Sequence, residues 1–574
     1  MWLRPELSRR FALVAIWALA GCEGDGGEAA RPSFVDVAAE AGVQLRTVSG
    51  TPQKEHIVEC NTGGTALLDY DLDGDMDIFI VNGSRLTGYA PGREPRAELY
   101  RNDGAWRFTG IGREAGVAHV GWGMGATAAD YNADGWPDLY LANYGPNALY
   151  ENEGDGTFVD VAVERGVDFS GWSSSAAFGD YDLDGDLDFY LANYIDFDPA
   201  FRPVDPSYCT WRGIDVFCGP RGMPGERDQF YRNDGASAGW TFAEASAAVG
   251  IADYEYYGFA ALAGDWDEDG DLDIYIANDS TPNVLYRNDQ GAFADVSLLS
   301  ATAYSEDGRE QGGMGLAGGD YDRDGDFDLF VTNFSHDNNS LYDNNGRGFF
   351  TDASFSSTLG RASISSLGWG TGFFDYDNDG DDDLFVANGH VYPAVDRRDL
   401  GTRYAQRNHL FENRDGAFVE VGAASGSGLA VEKSSRGSAF GDLDNDGDLD
   451  IVVVNIDDTP TLLRNDGGNR HNYLMVRLLG DGGNTEAIGA RVSVSVGGAV
   501  QMREVRAGTS YLSQDDLRLH FGLGAATEAD HLVVRWPDGV EERLDGVAGN
   551  RLISIRRGAG LVAEGFGPGP RSGP

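Results

Sequence analysis

The sequence predicts an all-β chain, a seven-bladed β-propeller followed by a small C-terminal β-domain. Three observations carry this: an Asp-rich unit that recurs seven times, short apolar strands around every copy, and a strand-period alternation beyond residue 468. The length of 574 residues calls for more than one packed unit, and 41% apolar content is enough to build them.

The elements follow in chain order. Arg4, Arg9 and Arg10 precede an apolar run from Phe11 to Ala20 that is too short to span a bilayer, so residues 1–21 read as an export signal. Leu19-Ala20-Gly21-Cys22 resembles a bacterial lipobox, which makes Cys22 the expected lipidation site; ordinary secretion is the alternative. Residues 22–32 form a Gly-, Glu- and Ala-rich tether. Phe34-Val35-Asp36-Val37 is then an orphan strand.

Residues 33–468 hold the repeats. The first runs Asp69-Tyr70-Asp71-Leu72-Asp73-Gly74-Asp75-Met76-Asp77 into Ile78-Phe79-Ile80-Val81-Asn82, and the pattern restarts at Asp130, Asp180, Asp265, Asp320, Asp375 and Asp442. Spacings of 50 to 85 residues suit a propeller blade with variable loops better than a solenoid turn. Five positions before each loop stand Gly64, Gly125, Ser175, Ala260, Gly315, Gly370 and Gly437, as crowded inner strands around an axis require. A further strand carries the signature Leu149-Tyr150-Glu151-Asn152, then a turn and Phe158-Val159-Asp160-Val161. The seventh unit lacks that last strand, so the orphan at Phe34 is expected to complete it and close the ring without a ragged edge.

Two insertions break the period, at 196–228 and at 389–408, and both are candidate partner sites. Cys209 and Cys218 lie in the first and are expected to pair, while Cys60 reads as a small buried hydrophobe. Residues 469–560 alternate as a small β-domain, and 561–574 read as a disordered tail.

Composition narrows the function. Asp and Glu outnumber Lys and Arg by 93 to 43, a net charge of −50, which disfavours nucleic acid and polyanionic partners. The eight histidines show no metalloprotease spacing, and no nucleophile elbow or phosphate loop is present. Gly121-Trp122-Gly123-Met124-Gly125 leads into a strand and not a helix, so packing explains it.

The excess acid sits at fixed positions. In each loop, positions one, three, five and nine can turn oxygens onto one hard cation, position seven can offer its backbone carbonyl, and the Gly at six permits the reversal. The expected ligands are Asp69, Asp71, Asp73, Asp75 and Asp77; Asp130, Asn132, Asp134, Trp136 and Asp138; and Asp180, Asp182, Asp184, Asp186 and Asp188. They continue with Asp265, Asp267, Asp269, Asp271 and Asp273; Asp320, Asp322, Asp324, Asp326 and Asp328; Asp375, Asp377, Asp379, Asp381 and Asp383; and Asp442, Asp444, Asp446, Asp448 and Asp450. Position-seven side chains are expected to point outward. Oxygen-only ligands argue against zinc and copper, and this many carboxylates favour calcium over magnesium, with up to seven ions.

These repeats resemble the FG-GAP/VCBS type of propeller, the group that includes the calcium-binding blades of integrin α-subunits. Ala487-Ile488-Gly489-Ala490-Arg491-Val492, Tyr511-Leu512-Ser513-Gln514, Leu519-His520-Phe521-Gly522-Leu523-Gly524 and Val534-Arg535-Trp536-Pro537-Asp538-Gly539 look like the ASPIC/UnbV domain. The combination is similar to the cartilage acidic protein family and its bacterial homologues. That resemblance implies a secreted or surface protein with calcium in the propeller, adhesion-like roles and no agreed enzymatic activity.

The expected function is therefore a calcium-binding, adhesion-like module and not an enzyme: an envelope lipoprotein, monomeric, touching membrane only through its anchor. Its partner would be a protein or glycan at the cell surface. The alternative is a calcium-dependent hydrolase or lyase acting on extracellular polysaccharide, with a substrate on the ring axis. His520 and Arg491 are expected to staple strands and loops.

Overall fold

The computed structural model describes residues 31–565 apart from residue 253; the export signal, Cys22 and nearly all of the tether lie outside the described residues. The repeats form seven four-stranded antiparallel sheets, two of them joined edge to edge where Ser170–Trp172 pairs with Tyr144–Pro146. The fourth sheet shows the pattern: Gly258–Gly264, Asp273–Asn278, Val284–Asn288 and Phe293–Asp295 in spatial order. Its second strand, Asp-Ile-Tyr-Ile-Ala-Asn, is buried on both faces, which is why its apolar run is nearly unbroken. Its outermost strand is buried only at Phe293.

The innermost strands touch in one cycle, from Thr65–Leu68 through Trp122–Ala129, Ser170–Gly179, Gly258–Gly264, Gly313–Gly319, Gly368–Phe374 and Ser435–Gly441 back to the first. The seventh sheet is closed by the N-terminal strand Ser33–Asp36, which pairs with Thr461–Asp466 and sets Phe34 opposite Asn465. Every Asp loop joins the first strand of a blade to the second; in the fourth sheet Gly264 faces Asp273 at that end and Gly258 faces Asn278 at the other. The insertions at 196–228 and 389–408 leave from second-strand ends, so they lie on the ring face opposite the Asp loops.

The C-terminal segment forms two four-stranded sheets, and the apolar residues of both join one hydrophobic cluster that also takes in Phe178 and Leu187 of the propeller. One expectation changes here. Residues 561–565 are not the expected disordered tail, because Gly560–Gly565 is a strand paired with Leu552–Arg556; residues 566–574 lie outside the described residues. The β-domain sits on the Asp-loop face and sends a hairpin, residues 505–518, down the axis.

That hairpin fills the place where a substrate was conceivable. Its main chain or side chains reach the inner strand of every blade. Leu67 N donates to Gln514 O at 3.1 Å, Ala126 N to Leu512 O at 3.2 Å and Phe178 N to Ala507 O at 3.0 Å. Leu316 N donates to Ser510 O at 2.9 Å and Asp516 N to Phe440 O at 3.0 Å, while Thr371 N donates to Ser510 Oγ at 2.9 Å. Tyr511 packs on Phe259 at 5.7 Å and on Trp369 at 4.7 Å between ring centres. The small residues of the inner strands now have their reason: a Cβ on Gly64 would stand 2.2 Å from the Leu512 carbonyl oxygen, and one on Gly315 would stand 2.1 Å from that of Trp369.

Candidate metal centres

All seven Asp loops share one backbone. Position four is left-handed in each, at Leu72, Ala133, Leu183, Glu268, Arg323, Asn378 and Asn445, with φ from 54° to 62°, and the Gly at six has φ from 91° to 103°. A side chain in that region costs about 1–2 kcal/mol, so seven copies need a steady compensation. Part of it is hydrogen bonding: the Gly N–H at six donates to the position-one carboxylate in every loop, from 2.8 Å at Asp375 to 3.4 Å at Asp320. The position-seven N–H donates to the position-five carboxylate in every loop as well.

The oxygens left over converge. Asp69, Asp71 and Asp77, and likewise Asp180, Asp182 and Asp184, each place three carboxylate oxygens within 4.8 Å of one another. So do Asp265, Asp267 and Asp269; Asp320, Asp322 and Asp328; and Asp375, Asp377 and Asp379. Each of the seven loops also holds a buried ligand-position carboxylate oxygen with no hydrogen-bond partner among the described residues, for example at Asp69, Asp138, Asp180, Asp265, Asp320, Asp377 and Asp444. Buried anionic oxygens without a donor are costly unless a cation meets them. The donor set, all hard oxygen at tight spacing, fits a divalent ion such as calcium.

Without a cation, burial and mutual repulsion raise these groups. Burial, then Asp184 and Asp182, push Asp180 up to about 7; burial, then Asp382, do the same to Asp320. Asp265 rises only to about 6, because Arg491 opposes its burial. Burial lifts Asp328 to about 9 and the other position-nine carboxyls well above the usual range.

Position nine serves the scaffold through one of its oxygens. In every blade that oxygen accepts from the N–H of an Asn on the third strand, from Asn102 to Asp77 and from Asn465 to Asp450, at 2.8–2.9 Å. The same Asn donates its Nδ2 to the carbonyl at position two of the preceding blade's loop: Asn152 to Tyr70, Asn288 to Tyr181, Asn413 to Tyr321, and Asn102 to Leu443 across the ring closure. Every loop is thus tied to the next blade. Asn288→Ala leaves the carbonyls of Tyr181 and Leu272 bare and is expected to cost about 1–3 kcal/mol in urea unfolding. A loss below about 0.5 kcal/mol would contradict this role.

At five of the seven loops the position-seven side chain does not point freely outward as expected. Asp271 and Asp448 are buried, accepting from Gln290 N at 2.9 Å and Asn469 N at 3.2 Å. Asp326 is buried too, Asp75 accepts from Asn445 Nδ2 at 2.6 Å, and Asp381 pairs with Arg323 at 2.6 Å. The segment that follows the third strand, or the neighbouring loop, folds over each of these residues.

The C-terminal domain lies against the same loops. Thr485 Oγ donates to Asp130, and Glu486 accepts from Asp130 N at 2.9 Å. Arg491 and Arg535 stand 3.6 and 3.5 Å from Asp265, Arg503 pairs with Asp382, and Arg518 donates to Asp442 O at 2.9 Å. His520, held neutral by burial at a pKa of about 4, meets Gly447 O at 3.2 Å. His520 and Arg491 are staples between domain and loops.

On the opposite face Cys209 and Cys218 form a disulfide, and Cys60 is buried and free. The two insertions meet: Arg398 donates to Gly213 O at 2.7 Å, and Trp211 lies 4.9 Å from His390 and 6.2 Å from Tyr392 between ring centres. Together they roof the mouth of the ring.

Comparison with known proteins places these features. The description FG-GAP-like repeat matches residues 69–141, 130–191, 265–331, 320–386 and 397–453, together just over half of the chain, and ASPIC and UnbV matches residues 480–562. Cartilage acidic protein 1 of Xenopus tropicalis is 28% identical over 277 residues, 46% of this chain and 40% of that protein. Its Homo sapiens counterpart is 27% identical over 283 residues, 46% of this chain and 39% of that one. The chain thus spans about two fifths of the length of the curated relatives it matches. Among solved structures, BBS1N in complex with ARL6DN, soaked with lead, is similar over 75% of this chain and 96% of that chain, with 8% identity and a TM-score of 0.40.

Proposed function

This chain belongs to the FG-GAP-like repeat family, and on that premise we propose that it is a calcium-braced binding module of the cell envelope, monomeric and anchored through Cys22. The observation that carries the calcium assignment is the partnerless buried oxygen in each of seven loops with one shared backbone. Seven near-equal sites inside a ring cannot all be a recognition site, so the ions act as framework. They would neutralise the loop carboxylates and let the arginines and His520 of the C-terminal domain close over them. Family membership supports binding over catalysis. The polysaccharide-cleaving alternative loses its natural seat as well, because the hairpin at 505–518 occupies the axis.

What remains for a surface partner, protein or glycan, is the roofed face built by the two insertions. Metal analysis of protein dialysed against trace calcium is expected to find several calcium ions per chain. Zinc in their place, or no metal, would overturn the assignment. Metabolic labelling with a palmitate analogue is expected to mark the wild type and leave Cys22→Ser blank; equal labelling of both would rule out the anchor.

A further inference from the structure

Under the roof lies a cavity of about 380 Å³ that the calcium loops do not touch. Its floor is the mouth of the ring, where the Arg436 guanidinium lies over the Trp369 ring at 4.0 Å and Trp369 meets Tyr511 of the axial hairpin edge to face. Its walls include Trp211 and Phe334, whose ring centres are 6.4 Å apart. The polar groups facing it are of both kinds. Asp279 and Asp337 are acceptors; Asp279 takes bonds from Tyr194 OH at 2.7 Å and Ser280 Oγ at 2.9 Å and keeps spare lone pairs. Asn61 and Ser335, each 3% exposed, line it with Nδ2 and Oγ atoms that have no hydrogen-bond partner among the described residues.

Each ligand class meets a different fate here. An anion would face Asp279 and Asp337, while Arg221 on the wall is paired with Glu310 at 3.2 Å and neutral as a unit. An ammonium would satisfy the carboxylates and the aromatic faces, but it offers no acceptor to the Asn61 amide. A ring of hydroxyl groups donates to carboxylates, accepts from an amide, and turns an apolar C–H face to an indole. Pockets of this kind, mostly apolar with a few convergent polar groups, are the usual small-ligand sites.

We propose that this cavity binds one neutral pyranose ring, free or as the terminal unit of a glycan, against the wall that Trp211 and Phe334 form together, with Asp279, Asp337, Asn61 and Ser335 reading its hydroxyls. The assignment rests on the reading of the chain as a binding module and is independent of calcium. It gives a role to the Cys209–Cys218 link and to Arg398, which hold Trp211 in the roof.

The test is saturation-transfer NMR and calorimetry on the full chain in calcium. The probes are neutral hexoses and N-acetylhexosamines, with choline and a sialic acid as charged controls, and a glycan array to separate terminal units from free sugar. At least one neutral pyranose is expected to bind with a Kd on the order of 1 mM or tighter. Trp211→Ala and Asp337→Asn are each expected to weaken it at least about tenfold. Should Trp211→Ala loosen the roof, Asp337→Asn carries the test, since it keeps the side chain's shape and is expected to leave the melting temperature unchanged. No binding by any neutral sugar, binding that survives both substitutions, or binding of choline instead would overturn the proposal. Such a failure with the calcium content intact would fall on this cavity alone.

Discussion

Adding a chelator to the calcium-loaded protein is expected to lower its melting temperature by tens of degrees. Each ion bound only to the native state adds about 2.7 kcal/mol when free calcium is a hundredfold above Kd. Three such sites already match the whole net stability of an ordinary domain, about 5–15 kcal/mol, and this ring has seven. The pH dependence should reverse as well. In chelator, carboxyls such as Asp180 and Asp320 have folded pKa values near 7, above their unfolded ones, so the native state holds the extra protons. Their stabilisation is present at low pH and is lost as pH rises from about 4 through about 7. With calcium bound, protons compete with the ion, and stability is lost as pH falls across the same window. Melting curves at several pH values, with and without chelator, check both claims. Coincident curves, or slopes of one sign, would remove calcium from the framework. Magnesium at the same concentration is expected to restore little, because it demands stricter geometry and sheds its water reluctantly.

Much of this was legible because the ring repeats its own grammar. The Asp period, the small residue five positions earlier and the orphan strand at Phe34 each follow from local sterics or strand pairing, and those show in one dimension. The third-strand Asn was visible as a recurring letter, but its bond to the previous blade's loop is a contact between units 50 or more residues apart. The left-handed residue at position four was hidden because leucine, alanine, glutamate and arginine stand there as well as asparagine. Position-seven side chains such as Asp271 and Asp448 turned inward for a reason outside the loop, the segment packed over them. The placement of the C-terminal domain was not readable at all. Tyr511-Leu512-Ser513-Gln514 carries part of the ASPIC/UnbV resemblance but says nothing of where the segment lies, and only the assembled ring reveals a channel of its width.

Removing that hairpin is expected to do more damage than emptying any one metal loop. Tyr511 has no exposed surface, packs on Trp369 and Phe259, and donates to Asn61 O at 3.0 Å. Tyr511→Ala should cost about 3–5 kcal/mol, as large aromatic truncations in rigid cores do. Replacing residues 505–518 by a short Gly-Ser link goes further. It strips hydrogen-bond partners from inner-strand groups such as Leu67 N, Ala126 N, Phe178 N and Leu316 N, and opens the axis to water. The ring has no second device there: the glycines that admit the hairpin, Gly64 and Gly437 among them, leave no side chain to collapse into the gap. The link variant is expected to lose its cooperative transition and to bind a hydrophobic dye, with the C-terminal domain released early in limited proteolysis. A link variant that melts within about 2 °C of the wild type and resists protease equally would mean that the hairpin is a passenger. The opposite outcome would make it the axle on which the blades are held, with calcium fixing the rim and the roofed cavity left free to face a ligand.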